Sequence, residues 1–260
     1  MKPLLQFSHA NGYPARCYRV FLGTLAESFE IRFVERFGHD PARPVNDGWS
    51  HLVDELIAAV ESGGKPVIGV GHSLGGYLSF LAAARRPDLF RGVILLDAPL
   101  LSRFQGSALA FVKRIGLIDR VTPAGASRLR RAEWPSRQAA FEHFQRKRLF
   151  HRFDPRCLED YVDHGTRPDG NVVRLVFDAD IEYRIYRTLP HDIAAAAAGF
   201  QVRGGLILGQ DSDIARRAGT RASRRALRIA RTRGGHLFPF QFPETSATAV
   251  IRMATNLGLL

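Results

Sequence analysis

Residues 65–99, KPVIGVGHSLGGYLSFLAAARRPDLFRGVILLDAP, constrain the fold more than any other stretch. KPVIGVGHS and RGVILLDAP each carry a short apolar run, and fully apolar runs suit strands buried on both faces of a parallel sheet. Between them LGGYLSFLAAARRP reads as a helix ended by Pro87. Strand, helix and strand in that order make a right-handed crossover unit.

The same alternation runs along much of the chain. LLQFSHA (4–10) reads as a short strand followed by the turn NGYP, and FEIRFVERF (29–37) alternates and ends at Gly38. DGWSHLVDELIAAVESGG predicts a helix with Asp47 as N-cap. Its Trp49, Leu52, Val53, Leu56, Ile57 and Val60 share one face, and Gly63 stops it. GGLILGQD (204–211) is another apolar strand, and RALRIARTRG a weaker one. A last helix opens at Pro243, with Ala247, Val250, Ile251, Ala254 and Leu257 on one face. The expected class is therefore α/β, a mostly parallel sheet of about six strands flanked by helices.

From 99 to 203 the rhythm breaks. TPAGASRLRR, SRQAAFEHFQRKRLF and DPRCLEDYVDHG carry helical signals, the last with Asp154 as cap and Pro155 in its first turn. RPDGNVVRLVF reads as a turn leading into a short strand. The expected organisation is a core of 1–98 and 204–260, with 99–203 inserted as a helical cap.

Composition is that of an ordinary globular chain: 45% hydrophobic and 24% charged over 260 residues. No apolar run approaches the ~18–20 residues of a membrane span, and MKPLLQFSHANG is a poor secretory signal. Cys17 and Cys157 stand far apart in no metal-ligand spacing, which suggests free thiols in a reducing compartment, so a cytoplasmic protein is expected. The net charge of +12 could serve nucleic acid, an anionic membrane or acidic substrates. Its densest cluster, ARRAGTRASRRALRIARTR (215–233), has no aromatic residue for base stacking, and no zinc-finger or RNP-type motif occurs. It reads as a solvated face, and no specific nucleic-acid partner is expected.

Ser73 is the residue with chemical potential. It follows an apolar strand and precedes an apolar helix, and Gly71 and Gly75 allow the sharp bend that would project its hydroxyl. The helix beginning at Leu74 aims backbone N–H groups at the same point. Such a hydroxyl needs a base to take its proton and an acid to orient that base.

With these residues in view, the chain resembles proteins of the α/β-hydrolase fold along essentially its whole length. SHANGYP after the first strand, GHSLGG at the bend, LLDAP, a helical insertion, LGQDSD and RGGHLFPFQFPE carry the resemblance. The sequence begins where such folds usually have their third strand. The resemblance implies the chain order nucleophile, acid, histidine, which Ser73, Asp213 and His236 satisfy. GQDSD is similar to the family's G-x-x-S-D and puts Asp213 in the acid's place, with Asp211 and Asp97 as alternatives. His72, beside the serine, is a common accompaniment of this bend and not the expected base. An oxyanion hole is implied, with the Leu74 N–H as one donor. The second is Asn11 or Tyr13, because SHANGYP departs from the usual His-Gly-x-Pro.

Phe104, Phe111, Trp134, Phe141, Phe144 and Tyr161 are the insertion's candidates for pocket wall or for its own core. The implied activity is a serine hydrolase acting on a small or medium apolar carboxylic ester. The same residues would serve a thioesterase, lactonase, amidase or C–C bond hydrolase. A serine at the bend speaks against the dehalogenases and epoxide hydrolases of this fold, which use a carboxylate there. A non-catalytic ligand-binding member is the rival of another class. The expected partner is a small-molecule ester or thioester, with no metal or organic cofactor.

Overall fold

Six strands pair in one all-parallel sheet in the computed structural model, which describes residues 2–260. They are β1 (Leu4–Ser8), β2 (Glu30–Phe33), β3 (Val67–His72), β4 (Phe90–Leu96), β8 (Gly204–Gly209) and β9 (Arg228–Thr232), in the order β2-β1-β3-β4-β8-β9. Between β4 and β8, β5 (Glu133–Trp134), β6 (Thr166–Asp169) and β7 (Val172–Leu175) form a small antiparallel sheet in the order β5-β7-β6.

Alternate residues of each central strand feed opposite layers of core, as the two-residue period of a strand requires. Leu5, Phe7, Ile68, Val70, Ile94, Leu96 and Ile207 pack on one side with α1 (Arg19–Leu25) and α13 (Pro243–Asn256). Leu4, Val67, Val93, Leu95, Leu206 and Leu208 pack on the other with α2 (Ser50–Glu61) and α3 (Leu74–Arg85). Each such side chain contributes roughly 1.5–3 kcal/mol by leaving water. That burial on both faces explains why these strands read as unbroken apolar runs.

Between β4 and β8 the chain also holds α4 (Arg103–Arg114), α5 (Ile118–Val121), α6 (Ala124–Arg128), α7 (Arg137–Gln145), α8 (Pro155–Gly165), α9 (Ala179–Arg187) and α10 (Ile193–Ala198). After β8 come α11 (Asp213–Ala218) and α12 (Phe238–Gln241). The turn and strand read from RPDGNVVRLVF form a full hairpin, β6 to β7, around Gly170 at φ 60°. Its partner β5 is two residues long, too short to show a period.

One capping expectation is corrected. Asp47 does not cap α2; it starts a short 3₁₀ turn, and the helix begins at Ser50 after Trp49 adopts φ 63°. The indole of Trp49 is buried, and its Nε1–H donates to the carbonyl of Ile185 at 3.1 Å. Asn46 Oδ1 instead accepts the His51 N–H at 3.1 Å, while the Asp47 carboxylate pairs with Lys113.

In a parallel sheet the carboxyl ends of all strands share one edge, where ligands of open α/β sheets bind. The loops after β1, β3, β4, β8 and β9 meet there and carry Asn11, Ser73, Asp97, Ser212 and His236 in turn.

Candidate active site

Ser73 sits at φ 52° and ψ −111°, a strained conformation for a residue with a side chain. Its neighbours explain how that bend survives. A Cβ on Gly71 would overlap the carbonyl of Gly75, and one on Gly75 would overlap the carbonyl of Ser8. Gly75 N–H donates to the His9 carbonyl at 3.1 Å, and Ser73 N–H to the Leu96 carbonyl at 2.9 Å. These bonds pin the start of α3 against the loops after β1 and β4.

The loop after β9 delivers His236. Gly234 at φ 107° turns the chain, and His236 Nε2 comes to 3.1 Å from Ser73 Oγ. Its Nδ1 lies 2.8 Å from Asp97 Oδ2, and the Asp97 side chain is fully buried. Asp97 also accepts from the Gly209 N–H at 3.0 Å and from the Ser212 hydroxyl. A buried carboxylate with three donors is compensated for its lost hydration.

The expectation for the acid is therefore corrected in placement. Asp213 does not reach His236; it opens α11, exposed to solvent, and pairs with Arg216. Asp211 is also exposed and binds Arg152 at 2.7 Å. Local geometry accounts for both. Ser212 takes the N-cap of α11, accepting the Ala215 N–H at 3.2 Å, so Asp213 begins the helix with its side chain outward. Asp97 directly follows β4, the neighbour of β3 in the sheet, and its φ of 48° accompanies a carboxylate held inside.

Of the two proposed second donors, Tyr13 has its N–H committed. It donates to the Ala10 carbonyl at 3.1 Å, closing a turn whose third position, Gly12, has φ 80°. Neither the Asn11 N–H nor the Leu74 N–H has a protein acceptor among the described residues. The Asn11 side chain anchors the turn by donating to the Glu182 carbonyl at 3.0 Å.

Two histidines and a tyrosine that sequence reasoning left without a partner hold this corner together. Tyr18 O–H donates to His72 Nδ1 at 2.8 Å and accepts the Ala10 N–H at 3.1 Å. His72 Nε2–H in turn donates to the His236 carbonyl at 2.8 Å. His9 Nδ1–H donates to the Ala10 carbonyl at 2.8 Å, and its Nε2 accepts the Phe37 N–H at 2.9 Å. Both rings use one nitrogen as donor and the other as acceptor, the neutral form. Burial drives His9 down to about 4 and His72 well below the ordinary histidine value. No local pattern could have paired Tyr18 with His72, because they lie 54 residues apart.

A cavity of about 620 Å³ opens over Ser73 and His236, walled by Asn11, Tyr13, Phe144, Phe150, Tyr161 and Leu237. Thus Phe144 and Tyr161 reach the cavity, whereas Trp134 is buried against Phe144 and Phe141 packs on the core. Phe104 and Phe111 do neither; they are 82% and 61% exposed. Arg130 pairs inside the cavity with Glu182 and donates to Tyr161 Oη at 2.8 Å. Burial raises the Glu182 pKa, and Arg130 opposes that rise. Arg131, His143 and Lys147 also line the cavity. His143 is held below its ordinary pKa by partial burial and by the positive charges of Lys147, Arg131, Arg130 and Arg146.

The comparisons with known proteins agree with this architecture. A family model described as the alpha/beta hydrolase family matches residues 7–249. The chain belongs to that family. It is 32% identical over 122 residues to a type I acyl-CoA thioesterase, mpaH, of Penicillium roqueforti, covering 44% of this chain and 26% of that protein. It is 30% identical over 131 residues to a monoglyceride lipase of Rattus norvegicus, covering 47% of this chain and 43% of that protein. The matched stretches thus span less than half the length of these curated relatives. Among solved structures, an E-2-(acetamidomethylene)succinate hydrolase superposes with a TM-score of 0.78 at 19% identity, over 98% of this chain and 92% of that one. The thioesterase domain from the curacin biosynthetic pathway gives 0.74 at 16% identity, over 96% and 91%.

Proposed function

We propose that the protein is a serine hydrolase of carboxylic esters or thioesters, working through Ser73, His236 and Asp97. The observation that carries this reading is the continuous chain of contacts from Ser73 Oγ to His236 Nε2 at 3.1 Å and from His236 Nδ1 to Asp97 Oδ2 at 2.8 Å. Asp97 accepts a hydrogen bond from His236 Nδ1–H, which keeps the proton on Nδ1 and leaves Nε2 free to take the proton of Ser73. Ser73 Oγ attacks the carbonyl carbon, and the developing oxyanion meets the N–H groups of Leu74 and Asn11. Collapse of the adduct expels the alcohol or thiol, protonated from His236. Water, deprotonated by the same imidazole, then attacks the acyl-enzyme and releases a carboxylate.

Aromatic and aliphatic walls suit an apolar acyl group of small or medium size, and about 620 Å³ is within the usual span of small-molecule pockets. A fluorophosphonate probe tests the nucleophile: wild type labels and Ser73→Ala does not. Labelling of both, or of neither, sinks the reading.

A thioester with a phosphate-bearing carrier is favoured over a neutral ester by one observation. Arg131, His143 and Lys147 line the cavity, and neither Arg131 nor Lys147 has an acidic partner among the described residues. The relatives described as acyl-CoA thioesterases point the same way. Lys147→Gln with Arg131→Gln should raise KM for acyl-CoA and leave KM for p-nitrophenyl esters nearly unchanged.

A further inference from the structure

Seven of the ten large hydrophobic side chains left exposed among the described residues lie between 104 and 149. The first three form a stripe on α4 and its C-cap: Phe104, Phe111 and Ile115, with the exposed Ala108 between them. Spacings of four, three and four residues put all of them on one helical face. The helix is well formed despite this, since Ser102 and Gln105 close a capping box at its start. Exposed apolar side chains continue at Leu117, Val121 and Leu129. Leu129 also lines the cavity over Ser73, as does Pro123. The apolar surface therefore follows the chain from α4 to the cavity wall.

Charge singles out what this face fits. The segment 101–132 carries seven basic residues, Arg103, Lys113, Arg114, Arg120, Arg128, Arg130 and Arg131, against the single acid Asp119. Asp119 is engaged by Arg187 and Tyr183, so it does not offset the rest. Lys113 and Arg130 have acidic partners and Arg131 belongs to the cavity wall; Arg103, Arg114, Arg120 and Arg128 have no acidic partner among the described residues.

We propose that α4 and the α5–α6 segment dock the protein on an anionic phospholipid surface. Phe104, Phe111 and Ile115 enter the headgroup boundary, and the unpaired arginines meet the lipid phosphates and acidic headgroups. An aromatic stripe edged by arginine and free of acidic residues is the chemistry of a helix lying in the membrane interface. A second copy of the chain fits poorly, because a symmetric interface would set the same unpaired arginines against each other. The docking face uses neither Ser73, His236 and Asp97 nor the cavity cations Arg131 and Lys147, so the proposal stands apart from the hydrolase reading.

The test is co-sedimentation of the full chain with phosphatidylcholine vesicles, with and without phosphatidylserine. Wild type should bind the anionic vesicles at least about tenfold more tightly, and added salt should weaken that binding. Phe104→Glu with Phe111→Glu should abolish it. Arg103→Gln and Arg114→Gln should each weaken it roughly fivefold. Unchanged thermal unfolding of each variant shows that the fold is intact, and unchanged hydrolysis of a water-soluble ester shows the same where that activity is present. Equal binding to both vesicle types, or binding unaffected by the glutamates, overturns the proposal. So does a wild-type dimer in sedimentation velocity that the glutamates dissolve without any vesicle binding. Failure to bind any vesicle, with or without capture of an acidic protein, overturns it as well.

Discussion

Asp97 Oδ2 and His236 Nδ1 stand 2.8 Å apart although 139 residues separate them in the chain. Asp97 is turned into the interior at φ 48° and saturated by donors from β8, from Ser212 and from the imidazole. The loop after β8 thus supports the carboxylate that meets His236 without supplying it.

This geometry separates two carboxylates by experiment. Asp97→Asn should lower kcat by about 10⁴-fold, because the amide cannot hold the imidazole in the productive tautomer. Asp213→Asn should change kcat less than about twofold, since an exposed pair with Arg216 contributes little. Steady-state kinetics on a p-nitrophenyl ester reads both, and a crippled Asp213→Asn would reverse the assignment.

The Tyr18 hydroxyl links the loop after β1 to the ring behind Ser73. Tyr18→Phe leaves the Ala10 N–H and His72 Nδ1 without their partner, at about 1–3 kcal/mol for each buried group. Urea unfolding should show a loss of about 2–4 kcal/mol, and fluorophosphonate labelling should slow because the His236 carbonyl loses an oriented donor. Labelling at the wild-type rate would show that the network serves stability alone.

Glycines in this fold differ sharply in what they tolerate. A methyl at Gly75 would collide with the Ser8 carbonyl, whereas one at Gly170 would meet nothing within 4 Å. Gly75→Ala should cost more than about 3 kcal/mol or abolish soluble expression. Gly170→Ala, in the left-handed region at φ 60°, should cost about 1 kcal/mol. Thermal melts of the two variants make the comparison.

Buried neutral histidines give the protein an acid sensitivity. The unfolded chain protonates each histidine near pH 6.5, while folded His9 resists until about 4 and His72 until well below its ordinary value. Below about pH 6.5 the unfolded state therefore binds more protons, and stability falls with pH by roughly 1 kcal/mol per unit for each ring. The His9 share levels off once pH passes below about 4. Urea titrations of wild type and His72→Gln at pH 7.5, 6 and 5 should differ in slope by the share of one histidine. Parallel slopes would mean that His72 titrates normally in the folded state.

Much of the frame was legible in the one-dimensional pattern. Apolar runs at 67–70, 92–96 and 204–208 marked the central strands because burial on both faces leaves no polar position. GHSLGG marked the bend, since only glycine fits where α3 approaches β1 and β3 so closely. GGH placed His236 after the last strand. These features are local: they depend on backbone preference and on steric room within a few residues.

What the sequence by itself determined was thus the parallel sheet, the strained serine and the histidine. Which acid meets that histidine was decided only in three dimensions. GQDSD offered two carboxylates, and both turned outward once Ser212 capped α11. Asp97, at the end of a neighbouring strand, was brought in by sheet order, which no local pattern encodes. Tertiary packing likewise joined Tyr18 to His72 and left Phe104 and Phe111 facing water. Their helical spacing was equally compatible with an inward face, because periodicity reports that residues share a side and not what that side meets.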